Sequence, residues 1–231
     1  MTQTQQALGS QAQSSSAPAS PHTVQLTPVT DTAPAVVVAN NERSGAQWVE
    51  RFPTSAATSD LADGFREDLE SFVAALRSAG ATVTISATLR PPERAYLMHW
   101  SWKISKQDQD PRTVPARAGV NIDWVHNDAA GVYSASVSKA AATAMVNAYG
   151  MQSLGVAPSL TSRHIEGNAI DMSISWTGTL SIINASKKTV AIATTPRTGM
   201  NTKLHEVGAT YSVTKYNGSG SDAPHWSTDG R

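Results

Sequence analysis

The sequence predicts an α+β domain built around an antiparallel sheet, and three observations carry that prediction. Segments of helical periodicity come early in the folded region, strand-like alternation comes late, and two of the late strands flank a short turn as a hairpin does. The chain has 231 residues, enough for one domain and an appendage. Between residues 1 and 40 the only charged side chain is Asp31, and Gln, Ser, Thr, Ala and Pro fill nearly everything else. Such a stretch cannot bury enough apolar surface to offset the entropy of ordering it. Residues 1–40 therefore read as a flexible low-complexity tail and residues 41–231 as the folded domain.

Order is expected to begin near Trp48. Ser59 and Asp60 read as helix N-caps, and Leu61, Phe65, Leu69, Phe72, Val73 and Leu76 recur behind them at helical spacing. Gly80 suits the helix stop. Over residues 81–88, Val83, Ile85 and Ala87 alternate with Thr82, Thr84 and Ser86, the pattern of a half-buried strand. Pro91 and Pro92 open a helix over 93–104 carrying Tyr96, Leu97, Trp100 and Ile104. Residues 107–133 contain Pro111, Pro115, Gly119 and Gly131 without a steady period and read as a long ordered loop, of a length that is usually functional or mobile. An alanine-rich helix over 138–149 stops at Gly150. A strand comes next at 169–175, with Ile170, Met172 and Ile174 on one side and Asp171 and Ser173 on the other. Strands at 180–183 and 189–194 form the hairpin, and a helix over 201–207, a strand over 211–216 and a Gly/Ser turn lead to Asp222.

Composition removes several functions. Eighteen basic and 18 acidic side chains leave no formal net charge, which argues against a nucleic-acid partner. The absence of cysteine excludes disulfides, Cys-type zinc fingers and thiol catalysis. No apolar run approaches the roughly 20 residues of a membrane span. The run at 35–39 is too short for a signal-peptide core and has no basic flank, so delivery beyond the cytoplasm is expected to use another route.

Of six histidines, His22 lies in the tail, His99 in an aromatic helix, and His205 beside Glu206 in what reads as an ordinary surface pair. His126 shares the long loop with Asp123 and Asp128, residues that such loops also use for turns. His164 differs. It stands seven positions before Asp171, with Gly167 between them to bend the chain ahead of the 169–175 strand. A mixed N/O ligand set of this kind suits zinc, a catalytic site needs a third protein ligand, and His225 is the best candidate for it. Asp222, three residues earlier, is a plausible proton acceptor for a water at that site.

Residues 162–171, Ser-Arg-His-Ile-Glu-Gly-Asn-Ala-Ile-Asp, match every fixed place of the motif S-x-H-x-x-G-x-A-x-D. The chain thereby resembles the D-alanyl-D-alanine carboxypeptidase-like zinc metallopeptidases, the VanY-type and phage endolysin group. Asp222-Ala223-Pro224-His225-Trp226 looks like that group's closing element, and the segment from Ser86 through Arg90 to Arg94 resembles its strand-to-helix segment whose arginine faces the substrate. The resemblance implies a Hedgehog/DD-peptidase-like fold, a central antiparallel sheet flanked by helices. It implies one Zn2+ per chain held by His164, Asp171 and His225, with Asp222 as general base and then acid and Arg90 stabilising the oxyanion. The implied substrate is the peptide stem of bacterial peptidoglycan, cut as an L-Ala-D-Glu endopeptidase or a D,D-carboxypeptidase cuts it. In having Asp at the base position, the chain is similar to the endopeptidases. The expected setting is the cell wall or periplasm, as a monomeric lysin or delivered antibacterial effector whose tail reaches a delivery or secretion partner. The alternative is a non-catalytic zinc- or cell-wall-binding module on the same fold.

Overall fold

The computed structural model describes residues 41–218 and 222–231, so the tail read at residues 1–40 lies outside the described residues. The described chain is mixed α and β. Its first half holds β1 (Glu42–Arg43), α1 (Asp63–Ser78), β2 (Thr82–Ala87), α2 (Pro92–Gln107), β3 (Ile122–Asp123) and α3 (Ala135–Ala148). Its second half holds β4 (Ala169–Ser175), β5 (Leu180–Ile183), β6 (Thr189–Ile192), α4 (Thr202–Thr210), β7 (Thr214–Lys215) and β8 (His225–Ser227). Four strands form the principal sheet in the order β2-β4-β8-β7, antiparallel throughout, and β5-β6 is the expected hairpin. None of the described helices is long and apolar enough to cross a membrane.

The alternation of β4 decides which face of the sheet is dry. Ile170, Met172 and Ile174 are buried against Phe65, Leu69, Phe72 and Leu76 of α1, with Leu204 and Val207 of α4 and Trp226 of β8 in the same core. Each such side chain contributes about 1.5–3 kcal/mol on leaving water. Gly208 lets α4 approach closely, because a Cβ there would stand 2.8 Å from the Val213 carbonyl oxygen and 2.9 Å from the Trp226 ring. Asp171, Ser173 and Ser175 occupy the opposite, wetter face.

A second core joins α2 and α3 and gathers Trp48, Tyr96, Leu97, Ile104, Val120, Ile122, Trp124, Ala142 and Met145. Here the ordered loop expected over residues 107–133 turns out to carry a short strand and part of the core. Val120, Ile122 and Trp124 are buried, β3 pairs in parallel with β1, and Trp124 Nε1 donates to the Tyr96 hydroxyl at 3.1 Å. Order likewise reaches back to β1, ahead of Trp48.

The start of α1 also differs from expectation. Ala62, not Ser59 or Asp60, occupies the N-cap position, because Thr58–Asp60 form a separate 3-10 turn and the Ala62 amide donates to the Gly167 carbonyl. The strand expected over 211–216 shortens to Thr214–Lys215, since 211–212 complete the turn after α4.

Candidate metal centre

The register of the sheet builds the site. Asp171 of β4 and His225 of β8 are directly opposed across an antiparallel ladder, so their side chains rise from the same face. Beside them β2 is bulged between Ile85 and Ala87, which realigns its end so that Ala87 faces Asp171. The Ser86 hydroxyl donates to the Asp171 carbonyl at 3.1 Å. Beyond the bulge, residues 88–90 grip the turn that carries His164. Thr88 accepts from its ring, and the Arg90 amide donates to the His164 carbonyl at 3.0 Å.

That turn depends on Gly167. Its φ of +72° lies in the left-handed region, and a Cβ would come within 2.9 Å of the Ala62 amide nitrogen. The Arg163 guanidinium ties the same turn to the end of the described chain through Glu166 and Asp229.

Three ligand atoms converge. His164 Nε2 lies 3.2 Å from Asp171 Oδ1 and 3.1 Å from His225 Nδ1, and His225 Nδ1 lies 3.2 Å from the same Asp171 oxygen. Both imidazoles are buried and the carboxylate is half-buried. The outer nitrogens determine what the inner ones present. His164 Nδ1 stands 2.6 Å from the Thr88 carbonyl oxygen, and His225 Nε2 stands 3.1 Å from the Arg231 backbone oxygen. A carbonyl can only accept, so each outer nitrogen carries the proton and each neutral ring turns a lone pair inward. Two imidazole lone pairs and a carboxylate oxygen therefore face one another with no donor between them. A positive charge resolves that arrangement, and a metal cation satisfies all three atoms together.

The spacing fits such an ion. Tetrahedral ligands at zinc distances stand about 3.3 Å apart, and a set of two imidazoles and one carboxylate leaves a fourth position for a reactant. Where no ion is bound, protons serve in its place. Burial pushes the Asp171 carboxyl up, but hydrogen bonds from His164 and His225 outweigh it and hold the group below the usual carboxylate range. Burial alone would lower the His225 pKa, while Asp171 and the Arg231 oxygen reverse the sign and raise it.

Arg90 and Asp222 flank this triad. The Arg90 side chain is half-buried, and its guanidinium makes no hydrogen bond or ion pair with a described residue. Burial lowers its pKa against the opposing fields of Asp171 and Asp222. Asp222 is exposed, and its backbone carbonyl accepts from the His225 amide in the turn leading into β8.

The sequence reading did not single out Lys215. This lysine is buried and donates from Nζ to the Asp222 carbonyl at 2.7 Å and to the His225 carbonyl at 2.8 Å, pinning the turn that joins them. A lysine in a short strand looks like any solvated side chain, and no local pattern marks it.

The other described histidines, His99, His126 and His205, have structural duties. His126 is buried with its Nε2 2.9 Å from Ser44 Oγ, while Asp123 and Asp128 accept from backbone amides of their own turns, so among the described residues they form no metal cluster. His205, expected in a surface pair, is instead half-buried edge-on against Trp226, with Nε2 2.9 Å from the Gly199 carbonyl. His99 packs edge-on against Trp100, and its Nδ1 lies 2.8 Å from the Pro158 carbonyl. In comparison with known proteins, no family model matches the chain and no curated protein matches it.

Proposed function

We propose that this chain is a zinc-dependent hydrolase of the peptide stems of bacterial peptidoglycan, of the carboxypeptidase-like group its motifs resemble. The observation that carries this reading is the triangle of inward lone pairs on His164, Asp171 and His225, fixed from outside by two backbone oxygens. These three residues would hold the metal. Bound zinc supplies Lewis acidity, polarising a scissile carbonyl and acidifying water near neutral pH.

The remaining roles fall to side chains around it. Asp222 sits in the turn that delivers His225 and is exposed to solvent. It would take a proton from the attacking water and pass it to the leaving amine. Arg90 would offer its guanidinium, unpaired among the described residues, to the carbonyl oxygen where negative charge develops, and one well-placed donor of that kind is worth about 3 kcal/mol in the transition state. Aspartate as the base favours endopeptidase action between L-Ala and D-Glu over D,D-carboxypeptidase action, and such a substrate places the work at the cell wall.

Purified sacculi and mass spectrometry of the soluble fragments test the reading. We expect stem fragments to be released, the release to stop on chelation, and zinc to restore it. A zinc-loaded protein that adheres to sacculi and releases nothing would replace the hydrolase with a cell-wall-binding module.

A further inference from the structure

The principal sheet has a gap one residue long, immediately after the metal ligand Asp171. On the β8 side of β4, the Met172 amide donates to the Pro224 carbonyl at 2.9 Å. In an antiparallel ladder the accepting residue normally returns its own amide to the same partner. Proline has none, so among the described residues the Met172 carbonyl stays unanswered. Two residues on, Ile174 accepts from the Gly199 amide at 3.0 Å, so its backbone faces the same side. Among the described residues nothing accepts from the Ile174 N–H.

The two residues that carry this acceptor and donor, Met172 and Ile174, line one cavity of about 310 Å3. Ala223 and Pro224 form one wall and Thr198, Gly199 and Met200 the other, with Ser173 of β4 between them. The cavity therefore begins one residue past Asp171 and one residue past Asp222.

We propose that this gap is where the substrate's backbone docks as a one-residue strand, a proposal that rests on the zinc-peptidase reading above. A single extended residue running parallel to β4 beside Ser173 donates its N–H to the Met172 carbonyl and accepts from the Ile174 N–H. Main-chain pairing of this kind supplies affinity independently of the side chain. Its shortness also suits the occupant. A stem peptide mixes L and D residues and cannot follow a long strand edge, whereas a one-residue slot requires no run of a single handedness.

Two variants close the gap from opposite walls. Pro224→Ala provides the amide that completes the ladder onto Met172, and Thr198→Trp fills the space from the other side. With a synthetic L-Ala-γ-D-Glu-L-Lys-D-Ala-D-Ala peptide, each should raise KM about tenfold, the scale of one neutral backbone hydrogen bond. Retained zinc and a kcat within about threefold of wild type would separate this from damage to the metal site. Methylating the peptide's amide nitrogens in turn should identify one non-scissile position that raises KM similarly in wild type and adds nothing in Pro224→Ala. If wild type cleaves the peptide while both variants keep KM within twofold, or if no methylated position behaves this way, the docking site is wrong and the hydrolase reading stands. If zinc-loaded wild type cleaves neither peptide nor sacculi, the hydrolase reading fails and takes this proposal with it.

Discussion

Zinc should stabilise the fold by an amount that grows as pH rises, and the hydrogen bonds of the triad determine that sign. In the metal-free protein the raised pKa of His225 means that its imidazolium stabilises the fold below the unfolded value near 6.5. That contribution is lost as pH rises through the folded value. Asp171 behaves oppositely: its lowered pKa stabilises the fold above an unfolded value near 4, and the contribution is lost as pH falls through the folded value. The metal-free triad is thus most favourable between about pH 4 and 6.5, where zinc must displace a proton to bind. At pH 7.5, zinc a thousandfold above its Kd adds about 4 kcal/mol. For a domain of this size each kcal/mol moves Tm by about 2–4 °C, so the expected rise is about 8–16 °C. Each pH unit below the His225 pKa removes about 1.4 kcal/mol of that gain, or about 3–6 °C. Thermal melts with chelator and with zinc, stepped from pH 5 to 8, measure both quantities. A zinc-induced shift that is absent at pH 7.5, or flat across the range, would refute the assignment of these lone pairs as ligands.

Further outcomes rest on the same geometry. Asp222→Asn should keep zinc and lose at least about a hundredfold in turnover on sacculi, whereas Asp171→Asn should lose the metal itself by plasma emission analysis. The reverse pattern would mean the two carboxylates are assigned the wrong way round. Lys215→Met removes a charged donor from the Asp222 and His225 carbonyls, a loss of about 3 kcal/mol, and should speed zinc transfer to a competing chelator. Unchanged transfer would show that the turn holds without it. Gly167→Ala combines a left-handed φ with a 2.9 Å approach to Ala62 and should lower Tm by about 4–8 °C, a loss of about 2 kcal/mol. An unaltered melt would place the strain elsewhere.

The sequence exposed the parts of the site that are local. His164, Gly167 and Asp171 lie within eight residues, and the alternation of β4 already separates Asp171 from the apolar face. The opposition of Asp171 and His225 is a matter of register between strands 54 residues apart, which no spacing rule supplies. The atoms that orient the histidines are harder still to foresee. Thr88 and Arg231 act through backbone oxygens, and a backbone oxygen carries no residue-type signal. One signal was available and overlooked, for Val120, Ile122 and Trp124 alternate with Asn121 and Asp123, the period of the buried segment they form. The N-cap at 59–60 failed for a different reason. A capping residue is inferred from the helical residues after it, while here the Ala62 amide is claimed by Gly167, far away in sequence.

Arg90 and Asp222 are the residues on which a hydrolase and a binding-only site differ. Holding an ion requires His164, Asp171 and His225 with their outer-nitrogen partners, and nothing in that set calls for a guanidinium. Yet the Arg90 side chain is half-buried beside it, with its charge disfavoured by burial and by Arg94 and favoured by the fields of Asp171 and Asp222. A cation next to a metal site also raises the cost of admitting a second positive charge. Such a placement is unfavourable for a site whose task ends at binding zinc. It becomes favourable once a substrate brings a carbonyl oxygen that turns negative during attack, because the guanidinium then meets charge that appears only in the transition state. Asp222 obeys the same logic, since an exposed carboxylate outside the ligand triangle adds little to holding the ion but would serve to carry a proton in the proposed hydrolysis. Arg90→Gln separates the two accounts: a binding site relieved of repulsion should hold zinc at least as tightly, while a hydrolase should keep the metal and lose kcat.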